Sequence, residues 1–275
     1  MYGQPADMDA IMDIAKRHNL YVIEDCSQAI LAEYKGKKVG TIGDIGTFSF
    51  QESKHITCGD GGITITNNDE LGDRAKLFAN KGWPKKVGNS ERDYLCFGNN
   101  YRMTELQAAV LCAQFKKVKK ITKRRNELGD KLTELLKNTK GIRPAYIIPG
   151  AKSVYWLYPL KVDTKLLGVS LLDFAKAVSK ERVSIGAGYL GQPLYLFDLI
   201  KNRVIYGNSK YPFDSPKYGK EVKYEKGLCP NCEKIFEDSA QILIKENFTD
   251  KDIKDIATAI KKVAGYYIYK QKDQL

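Results

Sequence analysis

The feature that most constrains this chain is a switch of hydrophobic period in its first 80 residues, from helical to strand-like and back. Residues 6 to 18 place Met8, Ile11, Met12, Ile14 and Ala15 near helical spacing, and the short apolar run Leu20-Tyr-Val-Ile-Glu-Asp25 follows, ending in acids. A helix feeding a buried strand fits both segments. A polar hairpin is expected around Tyr34-Lys-Gly-Lys-Lys-Val39, and Gly46-Thr-Phe-Ser-Phe50 and Gly62-Ile-Thr-Ile-Thr66 read as two further strands. Between those two strands lies a polar loop that carries Lys54.

The pattern continues as a helix from Asn68 to about Asn80 and a long loop marked by Gly82-Trp-Pro84 and Gly88-Asn-Ser90. Thr104-Glu-Leu-Gln107 has the form of a capping box, so a long helix, broken at most once, is expected from there to about Lys137. After Gly141 the character changes. Val154-Tyr-Trp-Leu-Tyr-Pro-Leu-Lys-Val162 reads as a strand, Leu171 to Lys180 as a helix, Ile242-Leu-Ile244 as a strand, and Thr249 to about Ala264 as a final helix with a threonine cap. Alternating helices and strands followed by a smaller mixed unit predict an α/β domain over residues 1–125 and an α+β domain over 126–275. No internal repeat or low-complexity segment interrupts this order.

Composition excludes some functions and leaves others open. With 43% hydrophobic and 28% charged residues, the chain has the make-up of a globular protein rather than a disordered or fibrous one. A formal charge of +12 suits nucleic acid, acidic membrane or anionic small molecules, because a positive field concentrates all three. The densest basic run, Lys116, Lys117, Lys119, Lys120, Lys123, Arg124 and Arg125, has no nucleic-acid motif beside it, and a solvated helix face explains it better. Cysteines 26, 58, 96 and 112 are isolated, which suits free thiols in a reducing compartment. Cys229 and Cys232 form a lone CxxC, and no second CxxC or His pair completes a zinc set, so a helix-start turn is favoured over a metal site. No apolar run nears the ~18 residues that span a bilayer, and the first residues lack a signal peptide's basic and apolar regions. A cytoplasmic protein that binds neither nucleic acid nor membrane is expected.

The chemistry-bearing residues are Asp25, at the carboxyl end of a strand, and Lys54, on a loop between strands, since ligands of open α/β sheets gather at strand ends. Alone, each has a simpler explanation, as a helix cap or a solvated lysine. Four motifs together say more: Glu24-Asp-Cys-Ser-Gln28, Gly43-Asp-Ile-Gly-Thr-Phe-Ser-Phe50, Ser53-Lys-His-Ile-Thr-Cys-Gly-Asp-Gly-Gly62 and Asn100-Tyr-Arg-Met-Thr-Glu-Leu-Gln-Ala-Ala109. In order and spacing they resemble the DegT/DnrJ/EryC1/StrS sugar aminotransferases, and the similarity runs to the closing Glu246-Asn-Phe-Thr249.

The resemblance implies pyridoxal 5'-phosphate (PLP) as cofactor and a PLP-transferase of fold type I, with a large α/β domain and a smaller α+β C-terminal domain. Lys54 matches the family's Schiff-base lysine and general acid and base. Asp25 matches the aspartate that pairs with the pyridine nitrogen, and Gln28 the residue on the phenolic-oxygen side. Ser49 matches a phosphate-binding serine, and Asn100 an asparagine that reaches the phosphate of a neighbouring subunit, which implies a homodimer. Some relatives are sugar dehydratases with histidine in place of the lysine; here the lysine is present, and His55 follows it in what is expected to be a structural role. The implied reaction moves an amino group from glutamate or glutamine to a nucleotide-linked keto-sugar or a keto-cyclitol. Because Tyr2-Gly-Gln-Pro-Ala-Asp7 matches a motif well inside full-length relatives, the large domain is expected to be incomplete. Either a separately encoded N-terminal fragment completes it, or the chain is a non-catalytic binding or structural subunit. Tyr155, Trp156, Tyr158, Tyr189 and Tyr195 are candidates for substrate contact, although aromatics on such strands more often build the core.

Overall fold

The computed structural model describes residues 1–84, 93–217 and 222–273, so the loop expected at Gly88-Asn-Ser90 lies outside the described residues. The elements are, in order, α1 (Met8–His18), β1 (Ile23–Asp25), β2 (Glu33–Tyr34), β3 (Lys37–Lys38), β4 (Ile45–Ser49), β5 (Gly62–Ile65), α2 (Asp69–Ala79) and α3 (Glu105–Leu136). They continue with β6 (Ile142–Arg143), β7 (Ala151–Lys152), β8 (Tyr158–Val162), α4 (Thr164–Leu167), α5 (Leu171–Lys180) and β9 (Ile185–Ala187). The last are α6 (Asp198–Lys201), α7 (Pro230–Asp238), β10 (Ser239–Ile242) and α8 (Asp250–Lys272).

Two compact units share this chain, and their segments interleave. The first comprises Met1–Gly129, Tyr146–Leu157 and Ile244–Asn247; the second comprises Asp130–Ala145, Tyr158–Leu243 and Phe248–Leu275.

In the first unit, β4 lies between β1, its parallel neighbour, and β5, its antiparallel one. Parallel pairing sets Asp25 opposite Thr47 and so brings the carboxyl ends of β1 and β4 to the same side. The register is pinned by Glu24, a buried carboxylate that accepts from the backbone N–H groups of Gly40 (2.8 Å), Ile42 (2.7 Å) and Gly43 (2.7 Å). A buried charge is tolerable only when hydrogen bonds replace its hydration, and three backbone donors do so here. Gly46, on β4, passes so close to this loop that a Cβ would lie 2.3 Å from the Gly40 carbonyl oxygen. The hairpin β2–β3 turns at Lys35 and Gly36, both with positive φ, and β7 pairs with the other edge of β2.

Helix α3 runs 32 residues without a break. Its start is the expected box: the Gln107 amide N–H donates to Thr104 Oγ1 (3.2 Å), and the Thr104 N–H donates to Gln107 Oε1 (3.0 Å). Leu111 and Val118 face inward and pack with Phe50 and Ile56, the residues that flank the lysine loop.

The second unit is a four-stranded antiparallel sheet in the order β6–β8–β10–β9, with α5 and α8 packed together and α5 against β9 and β10. Leu160, Val162, Phe174, Val178, Ile242 and Ile260 make up much of its core. Three expectations shift here. The strand begins at Tyr158 rather than Val154, because Tyr155 takes a φ of 42°, which extended pairing does not allow. The strand expected at Ile242–Ile244 is Ser239–Ile242, since its partners on β8 and β9 extend only that far. Helix α8 continues to Lys272, well past Ala264, because Gly265 removes no backbone donor and weakens a helix by only about 1 kcal/mol. Its start carries a full Thr249–Asp252 capping box, and Cys229 stands at the N-cap of α7 with Pro230 in the first turn. No described helix is long and apolar enough to cross a membrane.

Replacing Gly46 with alanine should lower stability by about 1–3 kcal/mol, the range for overpacking a closed site, measured by urea denaturation. Thr249→Ala, which removes only a cap, should cost about 1 kcal/mol in the same assay.

Candidate active site

The lysine loop is a closed excursion from β4. At its neck the Phe50 N–H donates to the Gly61 carbonyl (2.8 Å) and the Cys58 N–H to the Phe50 carbonyl (3.1 Å), while Gly59 supplies a φ of 89° for the turn back. Within it, the Lys54 N–H donates to the Gln51 carbonyl (3.0 Å). From α3, the Gln107 side-chain amide donates to the Asp60 carbonyl (2.8 Å), so the residue that caps the helix also holds this loop.

A distant stretch of chain fastens the loop on its other side. The Trp156 indole N–H donates to the Ser53 carbonyl (2.8 Å), and the His55 ring bonds through Nε2 to the Val154 carbonyl (2.9 Å), 99 residues away. A carbonyl can only accept, so Nε2 carries the proton. His55 is 4% exposed, and burial, reinforced by the nearby Arg125 guanidinium, pushes its pKa down to about 4. Arg125, itself buried, pairs with Glu246 at 2.9 Å. His55 therefore has the structural role expected of it, as a neutral buried donor. Of the aromatic candidates, Tyr155, Trp156 and Tyr158 are buried, Tyr189 is 38% exposed, and the Tyr195 hydroxyl donates to Glu233.

Asp25 and Lys54 are close enough that each shifts the other's ionisation. The Ser27 hydroxyl (2.5 Å) and the Ser27 N–H (3.0 Å) both donate to Asp25 Oδ1 and hold the carboxyl below the usual aspartate range. Lys54 moves the other way from its ordinary value: partial burial lowers its pKa, while Asp25 opposes that fall. This is the pairing required of a carboxylate that stays charged beside an amine that can lose its proton.

Gln28 follows one turn after Asp25 and accepts from the Tyr2 N–H through Oε1 (2.8 Å). Asp25 and Gln28 line a groove of about 450 Å³ together with Met8, Ile11, Val22 and Ser27. Ser49, the last residue of β4, accepts from the Gln51 N–H (3.3 Å). Asn100 is exposed, bridges to Asn80 across a single β-bridge and accepts from Arg102 Nε (2.8 Å). Asp25 and Lys54 are thus brought together, Gln28 lies beside Asp25, Ser49 closes the strand that leads into the lysine loop, and Asn100 stands on a different surface segment.

The α/β fold that carries this arrangement is shared with solved aminotransferases. An aminotransferase from Psychrobacter cryohalolentis superposes with a TM-score of 0.81 at 27% identity, over 97% of this chain and 67% of that one. The family model described as the DegT/DnrJ/EryC1/StrS aminotransferase family matches residues 1–261, and the chain belongs to that family. It is 33% identical over 270 residues to an uncharacterised protein of Methanocaldococcus jannaschii, covering 96% of this chain and 65% of that protein. It is 32% identical over 282 residues to the L-glutamine:2-deoxy-scyllo-inosose aminotransferase of Streptoalloteichus tenebrarius, covering 97% and 64% respectively. The chain thus spans somewhat under two thirds of the length of these relatives.

The residue missed by sequence reasoning is Arg125, which looked like one more member of a solvated basic run. Its signal was phase, because on α3 it falls one turn beyond Thr122 and two turns beyond Val118, both buried.

Because the folded pKa of His55 lies below the ordinary 6.5, the unfolded state takes up more protons between those values. Stability should therefore be fully retained above about pH 6.5 and fall as pH drops toward 4. The loss attributable to this residue should reach up to about 3 kcal/mol. His55→Gln, which keeps a donor for Val154, should flatten that part of the stability–pH curve in urea titrations.

Proposed function

We propose that this chain carries the lysine-bearing part of a PLP-dependent aminotransferase that aminates a keto-cyclitol or a nucleotide-linked keto-sugar, with glutamine or glutamate as donor. The observation that carries the reading is the pairing of Lys54, whose pKa is lowered by burial, with the ionised Asp25 at the carboxyl end of β1. The family supports the reaction class, and the name of the Streptoalloteichus relative supports a cyclitol acceptor and a glutamine donor.

The donor set suits PLP. Among the described residues, both hydrogen bonds to Asp25 go to Oδ1, so Oδ2 would be available to a protonated ring nitrogen. When bound, PLP supplies an electron-withdrawing ring that accepts the electron pair left as a proton departs from carbon. Asp25 would keep the ring nitrogen protonated and so preserve that capacity. Lys54 Nζ would hold the cofactor and, as a free side chain, would carry a proton between substrate carbon and its own nitrogen. That task needs a pKa near the working pH, and burial pulls Lys54 in that direction. The Gln28 side-chain amide would hold the ring on its oxygen side, the Ser49 hydroxyl would bind the phosphate, and Asn100 would serve the phosphate in a second copy of the chain, so that the working form would be a homodimer.

Borohydride reduction of the chain incubated with PLP, followed by peptide mass spectrometry, should place the cofactor on Lys54. Lys54→Ala should abolish that adduct, and no adduct in the wild type, or one that survives the substitution, would sink the assignment. With a complete catalytic unit, Asp25→Asn should reduce amination of a keto-cyclitol by about 10²-fold or more while leaving the adduct detectable.

A further inference from the structure

We infer that Trp156 is a positioning residue for Lys54, its indole face seating the ε-ammonium while its N–H fixes the carbonyl of the residue just before the lysine. The Nζ atom lies 4.7 Å from the ring centroid, and the indole N–H donates to Ser53 at 2.8 Å. One side chain thus grips the lysine loop at two points, by a face that attracts cations and by an edge that donates.

The indole is itself held still. Trp156 is 7% exposed, and the stretch before it is tied at every residue. The Ser153 carbonyl accepts from Asn126 Nδ2 (2.6 Å), the Val154 N–H donates to the Gly3 carbonyl (3.0 Å), the Val154 carbonyl accepts from His55, and the Tyr155 N–H donates to Ser153 Oγ (3.2 Å). Tyr155 takes its left-handed φ, and its ring fills the space a Cβ on Gly129 would need, the nearest ring carbon being 2.4 Å away. These ties turn the chain so that consecutive side chains do not alternate as on a strand.

The consequence for Lys54 follows from opposing forces. Burial favours the neutral amine, whereas the indole face and Asp25 favour the ammonium. The indole would hold the ammonium form in place whenever Lys54 is not joined to a cofactor, which is when it would have to return that proton. This consequence rests on the aminotransferase reading; the contact itself does not. Of the other charged groups nearby, His55 stays neutral above about pH 4, Arg125 and Glu246 pair with each other, and the amine of Met1 feels the charge of Asp25.

The test reads the chain without cofactor. Competitive acetylation of Lys54 with acetic anhydride, followed by mass spectrometry across the alkaline range, gives its pKa. Trp156→Leu should lower that pKa by about half a unit to one and a half units, and Trp156→Phe should restore at least half of the shift. An unchanged or raised pKa in Trp156→Leu would overturn the inference, because loss of packing alone would expose the amine and raise it. A second readout leaves Trp156 intact. The chain has two tryptophans, so Trp83→Phe isolates its fluorescence. The Trp156 emission should then step with the Lys54 titration, and the step should vanish in Lys54→Met; no step, or one that persists, refutes the contact. Failure of PLP to attach to Lys54 would remove the aminotransferase reading and leave both readouts standing.

Discussion

Everything at the candidate site depends on the lysine loop being held from two sides by chain that is remote in sequence. Its neck is closed locally by Phe50, Cys58 and Gly61, but that closure would leave the tip free to swing. The bonds from His55 to Val154, which is buried, and from Trp156 to Ser53, which is partly so, remove that freedom. Ordering a loop of this length costs about 1–2 kcal/mol per residue, so a few well-shielded bonds have to act together with the packing of Phe50 and Ile56. The site is therefore a product of the core beneath it as much as of the residues that display the chemistry.

Electrostatics follow from that anchoring. Glu24 and Asp25 are neighbours on β1, yet they point to opposite faces and meet opposite fates. Glu24 is buried and spends its charge on three backbone N–H groups that fix the parallel register; Asp25 faces out, steadied by Ser27, and stays charged toward Lys54. Cys26, on the buried side again, has its thiol pushed up to about 12 by burial and the two acids, which makes it inert. A period of two residues has separated a structural carboxylate from a chemical one.

The local elements were readable because their signals are local. The caps at Thr104 and Thr249 and the turn at Lys35 and Gly36 are set by neighbours a few residues away. The family's motifs made Lys54 and Asp25 stand out as a pair. The strand expected from Val154 was misplaced because the apolar run there answers to tertiary contacts: its backbone groups bond to Gly3 and His55 instead of a ladder. Arg125 was hidden for a similar reason: its phase on α3 was the one local signal, and the partner that makes its burial possible, Glu246, lies 121 residues away.

By itself, the sequence determined the alternation of elements, the loop that carries Lys54 and the strand end that carries Asp25, because hydrophobic period and turn chemistry act over short range. Only the tertiary structure decided that these two residues share an electrostatic environment and that an indole about a hundred residues downstream covers the lysine amine. It also decided that His55 stays neutral while its neighbour titrates. Those properties come from desolvation and from distances across the fold, and neither is fixed until the chain has closed on itself.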